Sequence, residues 1–196
     1  MATFVIATHN VGKLKELERI LAPLHIRAVT ADLEEVEETG TTFEENAFLK
    51  ADAACRQTGM PAVADDSGLM VDVLNGEPGI YSARYAGENA TDADRIQKLL
   101  DHLKGVPRER RTAKFVCAIC CVFPNGEKIT VRGECPGIIA DAPQGTGGFG
   151  YDPIFLVNGK SFGELDPIEK DKISHRGIAL RQLAKELEKM KENFSC

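Results

Sequence analysis

Neither a leader, a membrane span nor a basic excess is evident in this sequence. No charged-then-apolar segment precedes Phe4 and no apolar run approaches 18 residues. Neither a signal peptide nor a transmembrane helix is therefore predicted, and a cytoplasmic protein is expected. With 24 Lys+Arg against 30 Asp+Glu the net charge is -6, which argues against a general nucleic-acid or membrane binder. Any polyanion has to be met by a local basic site. The six cysteines show no regular spacing in 196 residues, so reduced thiols are expected rather than a disulfide framework. Cys117 and Cys120 do form a C-x-x-C, but in a strand-like run a separation of three puts them on opposite faces, away from any shared zinc. There is no repeat, linker or low-complexity segment. A single domain spanning 1–196, one-lobed or two-lobed, has enough chain to bury a real core.

What is present begins with FVIATHNVGK, Phe4 to Lys13. A β-branched apolar run stops at Thr8, His9 and Asn10, and Gly12 leads into a helical pattern with Leu14, Leu17, Ile20 and Leu21 apolar. Backbone N–H groups at a helix start lack intrahelical partners and carry partial positive charge, so with Lys13 beside them they suit a phosphate. Thr8 and Asn10 offer side-chain donors. The same stretch also reads as an ordinary strand-to-helix turn with Asn10 as cap. It is not a Walker loop, which needs two spaced glycines before the lysine.

Further along, a strand is predicted at Ile26 to Thr30, then seven carboxylates without a Lys or Arg between Asp32 and Glu45. Thr42 to Glu45 reads as a capping box for a helix to about Gln57, with Ala47, Ala51, Ala54 and Cys55 inward and Asn46 beside Lys50. Pro61 to Ala64 is a short buried strand that delivers Asp65, Asp66, Ser67 and Gly68 at its end, and Leu69 to Leu74 a further strand. A loop holding Tyr81, Arg84 and Tyr85 follows. Thr91 with Asp94 caps a helix through Leu103, Pro124-Asn125-Gly126 marks a hairpin, and Gly137 to Ala140 is predicted as another strand. The glycine-rich GTGGFGYD, Gly145 to Asp152, precedes a strand at Ile154 to Val157. Asp166 opens a short helix, and a long one follows Gly177 with Ala179, Leu183, Leu187 and Met190 inward.

Two neighbouring carboxylates at a buried strand end resist ionising together unless a cation is present. Asp66 with one glutamate of the acidic segment suits Mg²⁺, which keeps water and phosphate oxygens in its other positions. The alternative is that Asp65 or Asp66 caps the turn at Ser67-Gly68.

Over nearly its full length the chain resembles the inosine triphosphate pyrophosphatase family, which clears deaminated purine nucleotides. The matching stretches are THNVGK at 8–13, EETGTTFEENAFLKA at 37–51, ADDSGLMVDVLNGEPGIYSARYAG at 64–87, GTGGFGYDPIF at 145–155 and EKDKISHRG at 169–177. The resemblance implies hydrolysis of ITP, dITP or XTP to the monophosphate and pyrophosphate with Mg²⁺. It implies an α/β fold, a mixed twisted sheet flanked by helices in two lobes with a central substrate cleft, in a homodimer. By the family pattern Thr8, His9, Asn10, Val11, Gly12 and Lys13 bind the triphosphate, although no catalytic role is carried over to His9. Asp66 is the acid–base residue and a metal ligand, with Ser67 beside it. Phe149, Gly150, Tyr151, Asp152, Lys170, His175 and Arg176 bind the substrate and its base, and Lys50 and Arg84 are further phosphate contacts. For the second metal ligand Glu38 is preferred to Glu35 because it directly precedes Thr39-Gly40. The rival readings are a pyrophosphatase for another modified nucleotide and a catalytically silent nucleotide-binding protein.

Overall fold

The opening apolar run buries itself by pairing on both sides. In the computed structural model, which describes residues 2–24 and 26–193, strand β1 (Ala2–Ile6) runs parallel to β2 (Ile26–Val29), with Val5 opposite Val29. Its other edge runs parallel to β3 (Ala62–Val71), with Ile6 opposite Val63. Parallel neighbours need a crossover. Here α1 (Val11–Leu21) lies between β1 and β2 in sequence, and α2 (Phe43–Thr58) between β2 and β3. Strands β4 (Thr112–Val122) and β5 (Lys128–Ile139) are joined by a tight turn at Phe123–Glu127. β6 (Phe155–Val157) pairs antiparallel with β5 and with β7 (Lys160–Ser161). The sheet order is β2-β1-β3-β4-β5-β6-β7, a mixed seven-stranded sheet in an α/β fold, as the sequence led us to expect.

Helices α3 (Asp92–His102), α4 (Pro167–Ile173) and α5 (His175–Asn193) complete the chain. The fold divides into two compact units. The first comprises Met1–Asp66, Cys117–Gly133 and His175–Cys196. Its core gathers Phe4, Ile6, Leu17, Leu21, Val63, Ile119, Leu180 and Leu183. The second comprises Ser67–Val116 and Glu134–Ser174. Its core centres on Leu69, Leu99, Phe115, Phe155 and Phe162, with the Phe115 and Phe155 rings 4.5 Å apart. No helix among the described residues is long and apolar enough to cross a membrane.

Several boundaries differ from expectation. The two strands predicted at Pro61 to Ala64 and Leu69 to Leu74 are one, β3, so Asp65 and Asp66 stand mid-strand and not at a strand end. Local polarity suggested a break, but both carboxylates are neutralised within the fold and the ladder continues. The strand predicted at Gly137 to Ala140 is the end of β5, because Gly137 packs its backbone against Leu156 and Phe155. Helix α5 begins at His175, two residues before Gly177, and Met190 is half-buried. The Thr42 box is half formed. Thr42 accepts from Glu45 N, while the Glu45 carboxylate turns back to Thr41 N and Oγ1. The box at Thr91 and Asp94 forms in full. Cys117 lies in the core with Ile119 and Cys121, and Cys120 accepts from the Thr130 hydroxyl at 3.5 Å, so strand alternation separates the two thiols. Five cysteines are free thiols, and Cys196 lies outside the described residues.

Gly133 on β5 is where α5 packs closest. A Cβ there collides with the His175 carbonyl and lies 2.6 Å from Ala179 N, both backbone atoms. Gly133→Ala therefore has to shift the helix start, at a cost of about 1–3 kcal/mol. The urea midpoint should fall without a change in the slope. An unaltered midpoint would mean that α5 is not held there.

Candidate active site

Alternation along β3 sends Asp65 and Asp66 to opposite faces. Asp65 is buried. Its Oδ2 lies 3.1 Å from Lys13 Nζ of α1 and 3.0 Å from Arg176 Nη2 of α5. Arg176 is fully buried and pairs through Nη1 with Glu16, also of α1. Asp66 meets α2 instead. Asn46 Nδ2 donates to it at 3.2 Å, and Lys50 Nζ lies 3.6 Å from its Oδ1 and 2.6 Å from Glu38 Oε1.

The two faces push the two carboxyls apart. Burial raises Asp65, but the charges of Lys13, Arg176 and Lys50 outweigh it and hold the carboxyl well below the usual range. For Asp66 burial prevails. Lys50 and Lys13 pull it down and Glu38 adds a like charge, leaving it raised. Lys50 is pushed down by burial but held protonated by Asp66, Asp65 and Glu38. Adjacent carboxyls driven in opposite directions by their surroundings are the usual mark of divided labour. The surroundings of Asp65 favour its anion, whereas those of Asp66 favour its protonated form. The two neighbouring acids face different helices, Asp65 towards α1 and α5 and Asp66 towards α2.

Asn10 caps α1, its side chain accepting from Lys13 N at 3.0 Å, and Thr8 Oγ1 accepts from Asn10 N at 3.2 Å. Both hydroxyl and amide oxygens thus act as acceptors that shape the turn. His9 and Val11 are exposed, and Gly12 and Lys13 half-buried. Of the two candidate glutamates, Glu38 reaches Lys50 whereas Glu35 is exposed. Both carboxylates on Lys50 are hard oxygen donors and fit Mg²⁺, which takes one or two carboxylates and leaves its other positions to water and phosphate. Among the described residues no group of three or more His, Cys, Asp or Glu is arranged for a metal.

The remaining candidates, His175 and Arg176 apart, lie in the second unit, which Ser67 enters directly after Asp66 on β3. Lys170 is buried, its Nζ 2.6 Å from Asp152 Oδ2 and 4.8 Å from the Phe149 ring. Asp152 also accepts from Phe149 N at 2.9 Å, closing the glycine-rich loop on itself. Tyr151 donates to the Ser82 carbonyl at 2.9 Å, and the Arg84 guanidinium lies 5.2 Å over the Tyr81 ring. His175 is buried at the start of α5. The Arg176 fork is engaged by two carboxylates, Glu16 through Nη1 and Asp65 through Nη2.

Sequence reasoning missed Glu16 and did not give Asn46 a role. The signal for Glu16 was there, since it lies three residues after Lys13 on one helix face. Asn46 at the fully buried position beside Ala47 was a polar group in need of a partner.

An α/β protein that gathers a helix start, two lysines and a raised carboxyl around one strand is equipped to handle a phosphorylated ligand. The Ham1 family model matches residues 4–186, and the chain belongs to that family. It is 51% identical to a dITP/XTP pyrophosphatase of Geobacter sulfurreducens over 93% of this chain and 95% of that one. It is 50% identical to one of Bacillus subtilis over 96% and 98%. A HAM1 protein from Coxiella burnetii superposes with a TM-score of 0.87 at 46% identity, covering 96% of this chain and all of that one.

Arg176→Met leaves Asp65 buried with Lys13 as its remaining close cation, and should cost about 3–5 kcal/mol at neutral pH. The folded-state pKa of Asp65 is depressed, so its contribution is present above the unfolded value and lost as pH falls through the folded one. In the variant that carboxyl accepts a proton more readily, so the deficit should narrow on acidification. Denaturant melts at pH 7 and pH 4 would contradict this if the deficit were small or independent of pH.

Proposed function

We propose that this chain hydrolyses the deaminated purine nucleoside triphosphates ITP, dITP and XTP to the monophosphate and pyrophosphate. The observation that carries the mechanism is the arrangement on β3, where Asp65 meets Lys13 and Arg176 and the next residue, Asp66, meets Asn46 and Lys50. The relatives named dITP/XTP pyrophosphatase support the substrate class.

Water attacks the α-phosphorus, the bond from that phosphorus to the bridging oxygen breaks, and pyrophosphate leaves with the charge. Asp66, ionised, takes the proton of the attacking water. Lys50 and Lys13 offset charge on the phosphate oxygens, and the N–H groups opening α1 add donors without reorganisation. Asp65 orients Lys13 through the ion pair between them. Glu38 and Asp66 would hold Mg²⁺, which when bound supplies Lewis-acid charge to the phosphates. Phe149 to Asp152, Lys170 and Arg84 are assigned to the substrate, as are His175 and Arg176. The base is selected because its C6 oxygen accepts a hydrogen bond where adenine offers an amine, and a donor facing adenine is left unmatched. The family resemblance supports a homodimer.

The test is pyrophosphate release from ITP, dITP, XTP, ATP and GTP with and without Mg²⁺, in wild type and Asp66→Asn. Wild type should prefer the first three in the presence of Mg²⁺. Asp66→Asn should lose on the order of a hundredfold or more in kcat, with ITP binding measured without metal little changed. Equal rates on ATP and ITP, or turnover in Asp66→Asn within about tenfold of wild type, would refute the reading.

A further inference from the structure

Away from Asp65 and Asp66, the second unit contains a hydrogen-bonded chain that runs from the glycine-rich loop through the first turn of α3 to the Tyr81–Arg84 segment. Asp92 is the first residue of α3 but does not cap it, since the reciprocal bonds of Thr91 and Asp94 do that. Its Oδ2 accepts from Gly150 N at 2.7 Å, in the glycine-rich loop. Its Oδ1 pairs with Arg95 Nη2, and Arg95 Nη1 donates to the Ala83 carbonyl at 2.8 Å and the Ala90 carbonyl at 2.7 Å. One carboxylate and one guanidinium therefore connect the backbone beside Phe149 to the backbone beside Arg84. The same two segments are tied a second time by Tyr151 on the Ser82 carbonyl. Ser82 in turn accepts from Leu69 N at 2.9 Å on β3.

We infer that Asp92, acting through Arg95, is a positioning residue that sets the spacing of the glycine-rich loop from the Tyr81–Arg84 segment, and so the enzyme's hold on its nucleotide. This rests on the functional reading of Phe149 to Asp152 and Arg84 as substrate contacts. A helix-capping or purely stabilising role does not account for the pattern, because both oxygens of Asp92 are spent on groups outside the capping box. The charge pair is short and fixed at both ends, Arg95 being mostly covered while Asp92 is about half exposed. The arrangement therefore persists without substrate, and its loss should weaken binding uniformly and leave the chemical step alone.

The test compares wild type, Asp92→Ala, Arg95→Ala and the double variant on dITP with Mg²⁺, and follows amide exchange of the substrate-free proteins. Asp92→Ala should raise KM about tenfold with kcat within about twofold, the signature of lost uniform binding. Because the two side chains form one serial tie, the double variant should match the worse single one instead of multiplying the losses. Exchange at the Gly150 amide should accelerate in Asp92→Ala. Asp92→Asn, which keeps an acceptor for Gly150 but loses the charge on Arg95, should fall between. Unchanged KM in an active enzyme, multiplicative losses, or unchanged exchange at Gly150 would overturn the inference. If instead wild type itself releases no pyrophosphate from any deaminated purine triphosphate, the functional reading is what fails.

Discussion

A carboxylate removed from water has to be met by cations, or it takes up a proton. Asp65 is met by two, Lys13 from the first turn of α1 and Arg176 from the first turn of α5. Glu16 then balances Arg176, so the set of four charges closes with no net charge. The consequence reaches beyond stability. Helix α1 is the helix whose N-terminus follows THN, and its rotation is fixed by two of its own residues, Lys13 and Glu16, gripping partners from other elements. Replacing such a network by apolar residues often costs little in stability, so its retention points to what it positions.

Asp66 shows what is positioned. One step along the strand it faces α2, where Asn46 and Lys50 stand one turn apart and Lys50 is shared with Glu38. The pleat of β3 thus gives two identical side chains two surroundings, one dominated by cations and one by burial. Had a bulge or a break placed them on one face, as a strand ending at Ala64 allows, their repulsion would have coupled their titrations and neither role would be distinct.

How much of this was legible varies by mechanism. The strands at Phe4 and Ile26, the turn at Asn10, the cap at Thr91 and the inward alanines of α2 follow from local patterns, and local patterns are what a sequence displays. The Lys50–Asn46 pairing was visible as spacing on a helix. Its target was not, because Asp66 lies twenty positions away and is brought there by the sheet. The continuity of β3 through Asp65 and Asp66 was misread for the same reason, since the cations that make a mid-strand carboxylate tolerable come from residues 13 and 176. The Asp92–Arg95 pair was visible as a spacing of three on α3, but its backbone targets at Gly150, Ala83 and Ala90 were not, since only the tertiary fold brings them there. The five matching stretches identified the family without explaining any of these contacts.

The claim that most depends on this geometry is that Asp65 and Asp66 titrate far apart. Carbon-detected NMR of aspartate side-chain carboxyls in the metal-free, substrate-free protein reads both. Asp65 should remain ionised as pH falls past the ordinary aspartate value of about 3.9, while Asp66 should gain its proton above that value. Two carboxyls titrating together near the ordinary value would contradict the division of roles on which the account is built.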